Sequence, residues 1–171
     1  MPIFPVNTAR FDPYKSYRFL VFFVPGTIAV AAVSKITALK RSADVIDYKE
    51  GGNAIILKGL GRTKYEPITL ERGVTQDTDF IDWADTTQRL DNGHAQTSLK
   101  KLRRDIRIQL LNEAGVAVKA YIVHRCWVSE FQALPDLDAG ASAVALEHIK
   151  LENEGWEREL SVVEPDESVK P

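Results

Sequence analysis

Histidine and cysteine side chains are the first candidates for chemistry in this sequence, and their spacing argues against an active site. His94, His124 and His148 lie far apart, and no two of them occupy positions i and i+4, where two histidines on one helix face bind zinc. His124 and Cys126 would share one face of a strand, as a general base and a nucleophile would. Apolar residues flank them on that face, so a core or interface role is favoured for the pair.

Two further motifs satisfy only part of a ligand-binding pattern. Residues 59–64, Gly-Leu-Gly-Arg-Thr-Lys, invite comparison with a phosphate-binding loop, but the glycine spacing is wrong and no clear helix follows. Asp136, Asp138 and Glu147 stand at the first, third and twelfth positions of a calcium loop, yet glycine and alanine occupy the fifth and sixth. We therefore expect no metal, no cofactor and no enzyme activity.

The charge pattern does not favour a nucleic-acid-binding protein. The 171 residues include 22 Lys and Arg against 24 Asp and Glu, a net charge of -2, so no overall positive field attracts phosphates. The densest basic cluster comprises Lys100, Lys101, Arg103 and Arg104. A nucleic-acid contact is conceivable there, although a solvated strand start or a salt-bridge surface between subunits is favoured.

The remaining compositional features predict a protein assembled in a reducing compartment. Cys126 is the only cysteine, so no disulfide forms within the chain. The first residues lack the pattern of a secretory signal, and Pro25-Gly26 interrupts the most apolar stretch, residues 19–33. We expect no transmembrane helix and assembly in the cytoplasm of the producing cell.

The elements that must position these residues are mostly strands. Residues 16–24 and 27–40 are rich in β-branched and aromatic residues, and the Pro-Gly between them predicts a hairpin. From residue 103, apolar Ile106 alternates with polar Asp105 and Arg107, which predicts a half-buried strand. The other predicted strands are residues 45–49, 67–73, 116–133 and 141–152.

One helix and one long excursion complete the prediction. Apolar residues recur every three or four positions from Phe80 to Leu90, Asp77 or Thr78 can cap the start, and Asn92-Gly93 supplies a stop. Glycines interrupt residues 41–66, which predicts a long loop. The fold class is mainly β, a barrel or sandwich with one short α-helix. We divide the chain into an N-terminal extension (1–15), the domain (16–160) and a tail (161–171).

Four segments in order resemble a known family. They are Tyr48-Lys49-Glu50-Gly51-Gly52-Asn53, then Ile68-Thr69-Leu70-Glu71-Arg72-Gly73, then the Trp83 helix, then residues 144–151 followed by Glu154-Gly155-Trp156. Together they resemble the tail-tube proteins of contractile phage tails and the inner tubes of extracellular contractile injection systems, over residues 17–156. The resemblance implies a β-barrel or sandwich that closes into hexameric rings, which stack into a hollow tube inside a contractile sheath.

The resemblance also implies contact surfaces and partners. The candidate inter-subunit or inter-ring contacts are Tyr48, Lys49, Glu50, Gly51, Gly52, Asn53, Arg72 and Glu147. Asp105, Arg107 and Gln109 form a polar strand face that either lines the lumen or faces outside solvent. The implied partners are further copies of the chain, the sheath, baseplate or spike and terminator proteins, and cargo protein or DNA in the lumen, with no membrane in the resting state.

Two alternatives stay open from the sequence. The first is a secreted single-ring effector carrier resembling the haemolysin-coregulated proteins of type VI secretion. The second is a monomeric β-barrel that carries a small ligand, which predicts a monomer in solution and an apolar interior cavity.

Overall fold

The computed structural model of the chain describes residues 12–30, 33–88, 90–91, 94–95 and 102–165, with residues 90–91 and 94–95 described by their backbone alone. Over these residues the fold is mainly β, and one helix stands among its elements, as the sequence predicts. Its elements are β1 (Phe19–Val24), β2 (Val33–Ile36), β3 (Arg41–Tyr48), β4 (Leu57–Tyr65), β5 (Ile68–Gly73), α1 (Asp79–Gln88), β6 (Leu90–Asp91), β7 (His94–Ala95), β8 (Arg104–Leu111), β9 (Ala117–Gln132), β10 (Leu146–Glu152) and β11 (Trp156–Glu159).

The large antiparallel sheet runs in the order β1-β8-β9-β10-β5-β2, and β11 also pairs with β9. The long strand β9 belongs to two layers. Its first half pairs with β8 and β11, so that Val123 lies opposite both Ile106 and Trp156. Its second half pairs with β10, where Val128 lies opposite Leu151. We call the layer of β1, β8, β11 and the first half of β9 sheet A, and the remainder sheet B.

A bulge at Arg125 lets β9 pass from one layer to the other. Arg125 has a φ of 51°, and the register with β8 shifts there, from Ile106 opposite Val123 to Arg104 opposite Cys126. The backbone N–H of Arg125 donates to Asp105 Oδ1 at 2.8 Å, which satisfies a donor that the shifted ladder leaves unpaired. Bulges of this kind bend a strand and increase its twist.

The predicted hairpin of residues 16–24 with 27–40 is wrong. The turn exists, because the Gly26 N–H donates to the Phe23 carbonyl, but in the described part of the chain the pairing that follows is a single bridge between Phe22 and Ala29. β1 pairs with β8, whereas β2 pairs with β5 at the far end of the sheet. Val33 and Ile36 pack against the core from sheet B, and this burial outweighs the local preference for a hairpin.

Residues 41–66 form a regular hairpin rather than an irregular loop. β3 and β4 pair antiparallel over their whole length, with one bulge in β4, where Gly61 and Arg62 lie opposite Asp44. A Cβ on Gly61 would lie 2.7 Å from the Asp44 carbonyl oxygen. The glycine that suggests a strand break is thus the residue that allows the bulge to form.

The core lies between the two sheets and under α1. Asp77 caps the helix, since its Oδ1 accepts the Asp79 N–H at 2.8 Å. Phe80, Trp83 and Ala84 are buried on the predicted face, and Trp83 meets Phe23 edge to face at 4.8 Å. The helix ends at Gln88, before Leu90. The predicted stop at residues 92–93 lies outside the described residues. β10 begins at Leu146, five residues later than predicted.

Candidate assembly surfaces

The β3–β4 hairpin, residues 41–65, exposes apolar side chains on both faces. Val45 and Leu60 lie opposite each other on one face, and their exposed fractions are 63% and 83%. Ile46 and Tyr48 lie on the other face and are 54% and 50% exposed. An isolated two-stranded hairpin is at best marginally stable in water. Adjacent exposed apolar side chains mark contact sites for other proteins.

Six of the predicted contact residues lie together at the tip of this hairpin. The backbone turns at Glu50, where the Asn53 N–H donates to the Glu50 carbonyl at 3.1 Å. Gly52 has a φ of 84°, a conformation that favours glycine. The members of this exposed turn and the strand end before it are Tyr48, Lys49, Glu50, Gly51, Gly52 and Asn53. Their contact with a neighbouring subunit stays a prediction.

Arg72 and Glu147 lie in the interior of the subunit rather than on its surface. They stand opposite each other in β5 and β10, with exposed fractions of 0% and 7%. Arg72 Nε donates to Glu147 Oε1 at 2.5 Å, and its Nη2 donates to the Asp77 carbonyl at 2.8 Å. The guanidinium also lies 4.0 Å from the centre of the Phe80 ring. In the subunit these side chains connect sheet B to the start of α1, and they offer no surface to a neighbour.

The candidate lumen residues form a partly exposed polar face on the side of sheet A away from the core. Asp105, Arg107 and Gln109 alternate with buried Ile106 along β8. Arg107 Nε donates to Glu159 Oε2 of β11 at 2.7 Å, so the charge of Arg107 is paired within the subunit. The structure brings the three residues to one surface, and its position in an assembly stays a prediction.

His124 and Cys126 do not share a face, contrary to the sequence prediction, because the bulge at Arg125 shifts the alternation between them. Cys126 is buried, and burial, followed by the charge of Asp105, raises the pKa of its thiol to about 12. His124 is on the surface, with Nε2 3.1 Å from Glu157 Oε1 and Nδ1 3.6 Å from Asp105 Oδ2. A buried, protonated thiol facing away from the histidine is not an activated nucleophile.

The other candidate ligands are held by contacts within the subunit. His148 Nε2 lies 3.0 Å from Glu130 Oε1, and this hydrogen bond holds the pKa of Glu130 below its usual value. Asp138 accepts the Gly140 N–H in a tight turn, and Glu147 pairs with Arg72. His94 lies in β7. Across the part of the chain that the structure describes, no three His, Cys, Asp or Glu residues form a group that could hold a metal ion.

The two described residues of the basic cluster, Arg103 and Arg104, also make contacts within the subunit. Arg103 forms an ion pair with Glu154, and the Arg104 guanidinium lies 5.6 Å from the centre of the Trp83 ring. Both arginines line a cavity of about 760 Å³ beside the Pro25-Gly26 turn. Lys100 and Lys101 lie outside the described residues.

Among the described helices, none has the length and apolar character needed to cross a membrane.

The fold is a β-sandwich from which a hairpin with exposed apolar side chains projects. The family model for the T4-like virus tail tube protein gp19 matches residues 15–157. The chain belongs to this family, and it is a structural subunit of a tail tube. This confirms the resemblance that the four sequence segments carry.

Solved structures agree with the family. A chain in the anti-feeding prophage (AFP) baseplate is 26% identical, with a TM-score of 0.70, covering 86% of this chain and 95% of that one. A chain in the sheath-tube complex of the extracellular contractile injection system PVC is also 26% identical, with a TM-score of 0.70 and coverage of 86% and 91%. A type six secretion system protein, 9% identical with a TM-score of 0.50 and coverage of 84% and 83%, shows the fold alone. No curated protein sequence matches the chain significantly.

Proposed function

We propose that the chain forms hexameric rings that stack into the hollow inner tube of a contractile phage tail or extracellular contractile injection system. Its task is mechanical and not catalytic: a stiff rod crosses the target envelope when the sheath contracts, and DNA or protein passes through its bore. The observation that carries the proposal is the β3–β4 hairpin, whose apolar side chains are exposed on both faces.

Exposure of these side chains is costly unless another molecule covers them. Burying one Leu or Ile side chain contributes roughly 1.5–3 kcal/mol, and Val45, Ile46 and Leu60 are all more than half exposed. Because members of this family build tubes from copies of one chain, the molecule that covers them would be a second copy of the chain. We therefore assign residues 41–65, including the tip from Tyr48 to Asn53, to contacts between subunits within and between rings.

The edges of sheet A support ring closure. Within the described residues β11 pairs with β9 alone, so its outer edge is open to a strand of a neighbouring subunit. At the opposite end of the sheet, residues 29–30 are the part of the described chain beyond the Pro25-Gly26 turn that pairs with the outer edge of β1. Pairing the β11 edge of one subunit with the β1 edge of the next would remove both edges in a closed ring. The face with Asp105, Arg107 and Gln109 would then line the bore.

The proposed partners follow from the assemblies in which similar chains occur. The AFP and PVC relatives belong to a baseplate and a sheath-tube complex, so we propose contacts with a contractile sheath, with baseplate or spike proteins and with a terminator. We further propose that the tube assembles in the cytoplasm of the producing cell.

Sedimentation and negative-stain microscopy of the purified protein test this proposal. We expect hollow rings or short tubes, either with protein alone or after addition of the matching baseplate proteins, which would supply a nucleus. A species that stays monomeric at high concentration in both conditions would contradict the proposal and would favour a small-ligand carrier instead.

A further inference from the structure

We propose that an aromatic joint at Trp156 sets the direction in which the β3–β4 hairpin leaves the body of the subunit, and that tube assembly depends on this joint. The joint consists of Trp156, Gly155 and Tyr121 on the body side and Arg41 and Tyr65 on the hairpin side. The inference rests on the proposed function, because it assumes that the hairpin is the contact arm.

The hairpin needs such a joint because it forms a sheet of its own. β3 and β4 pair with each other, and in the described residues neither strand pairs with sheet A or sheet B. Every residue of β3 is exposed. The direction of the hairpin is therefore decided where its base meets the body.

Aromatic and cationic contacts converge at that base. Arg41 and Tyr65 form the first cross-strand pair of the hairpin and both face Trp156. The Tyr65 and Trp156 rings meet nearly perpendicularly at 6.4 Å, and the Arg41 guanidinium lies 5.4 Å from the centre of the indole. Tyr121 of β9 makes a further edge contact with the indole, with the ring centres 6.0 Å apart. Contacts of these kinds prefer defined angles and therefore orient as well as attract.

Gly155 allows the hairpin to approach closely. Its φ of 131° is a conformation that side-chain-bearing residues rarely adopt, and a Cβ there would lie 3.3 Å from the Tyr65 ring. The Gly155 carbonyl accepts the His124 N–H of β9 at 2.8 Å, so this contact point is fixed to sheet A. Tyr65 thus rests on a rigid part of the body.

Backbone hydrogen bonds hold the hairpin base next to the joint. The Asn153 side chain donates to the Glu66 carbonyl at 3.0 Å, and the Glu66 N–H donates to the Lys40 carbonyl at 3.0 Å. Pro67 follows directly and restricts the chain before β5. Both strands of the hairpin therefore leave the body from one fixed point, and a change at the joint alters the position of the tip.

Spin-label distances test the joint without requiring tubes. Labels at Ile55→Cys in the hairpin and Val116→Cys in the β8–β9 turn report the direction of the hairpin, while the buried Cys126 stays unlabelled because its thiol pKa is raised to about 12. Below the concentration of assembly, we expect one narrow distance peak in the parent and in Tyr65→Phe, and loss of that peak in Tyr65→Ala. A broad parent distribution, or an unchanged peak in Tyr65→Ala, would overturn the proposal.

Assembly of variants with unchanged body folds provides the second test. We expect Tyr65→Ala and Gly155→Ala to raise the lowest concentration at which tubes form by about tenfold, a change of ~1.4 kcal/mol in the free energy of adding one subunit. Gly115→Ala is the matched control, because Gly115 also has a positive φ, 80°, but no neighbour within 4 Å. Equal effects of Gly155→Ala and Gly115→Ala would overturn the joint, whereas a parent that never assembles would contradict only the proposed function.

Discussion

Arg72 and Glu147 face each other across β5 and β10 in the interior of the subunit, with Arg72 Nε 2.5 Å from Glu147 Oε1. The same guanidinium reaches the Asp77 carbonyl at the start of α1. Its Nη1 lies 3.2 Å from Asp77 Oδ1, a charge contact rather than an aligned hydrogen bond. A buried ion pair therefore connects the sheet to its only described helix.

Removing one partner of this pair should lower the free energy of unfolding far more than removing both partners. We expect Arg72→Met to lower the free energy of unfolding by about 3–5 kcal/mol, because Glu147 is left buried and uncompensated. The double variant Arg72→Met with Glu147→Leu should recover most of this loss. Urea unfolding measures both. The control is Lys35→Met, which breaks an exposed pair with Glu71 at 3.1 Å and should cost under about 1 kcal/mol. Equal costs for Arg72→Met and Lys35→Met would refute this account.

Asp77 should contribute a pH-dependent part of the stability. The backbone N–H of Asp79 and then Arg72 hold the pKa of Asp77 below its usual value. A carboxyl with a depressed folded pKa stabilises the fold above its unfolded pKa of about 3.9, and the effect is lost as the pH falls through the folded value. Asp77→Asn should therefore be less stable at neutral pH and lose less stability on acidification. The free energy of unfolding of parent and variant is measured by urea unfolding from neutral to acidic pH. An equal loss in both proteins on acidification would exclude this role.

Polar substitution on either face of the hairpin should prevent assembly and leave the fold intact. Leu60→Ser and Tyr48→Ser remove apolar area that only a neighbouring subunit would bury, so the melting temperature should stay close to that of the parent while tube yield falls. Val116→Ser is the control, since it changes an exposed apolar residue in the β8–β9 turn. Normal tube yield from both hairpin variants would place the contact elsewhere.

Gln109 tests which polar face lines the bore. A Gln109→Cys variant should react with a small maleimide in assembled tubes, because the reagent diffuses along the bore, but not with a maleimide attached to a bulky polymer. Dissociated subunits should react with both reagents, and Cys126 should stay unmodified. Rapid modification of intact tubes by the bulky reagent would place this face on the outside.

Sequence patterns predict the elements that have one buried and one exposed face. Alternation identifies β5 and β8, and the three-and-four spacing identifies α1 with its Asp77 cap, because burial imposes those periods. The β3–β4 hairpin has no buried face within the subunit, so its sequence carries no such period. The glycines at 59 and 61 then suggest a loop where the chain forms a strand.

Pairing between strands far apart in sequence, and register shifts of a single residue, produce the features that the sequence does not predict. The Pro25-Gly26 turn predicts a hairpin, but β1 and β2 find partners far away in sequence. The bulge at Arg125 adds one residue to the alternation, which separates His124 from Cys126. The Arg72–Glu147 pairing depends on the register between β5 and β10, and the joint at Trp156 depends on the position of Tyr65. Neither is visible without the fold.

Cryo-electron microscopy of the purified assembly tests the central claim most directly. We predict end-on class averages with six subunits around an open bore and side views of stacked rings, with the β3–β4 hairpin of each subunit covered by its neighbours. Particles in which this hairpin stays exposed to solvent, or a protein that forms no closed ring at any concentration, would contradict the account.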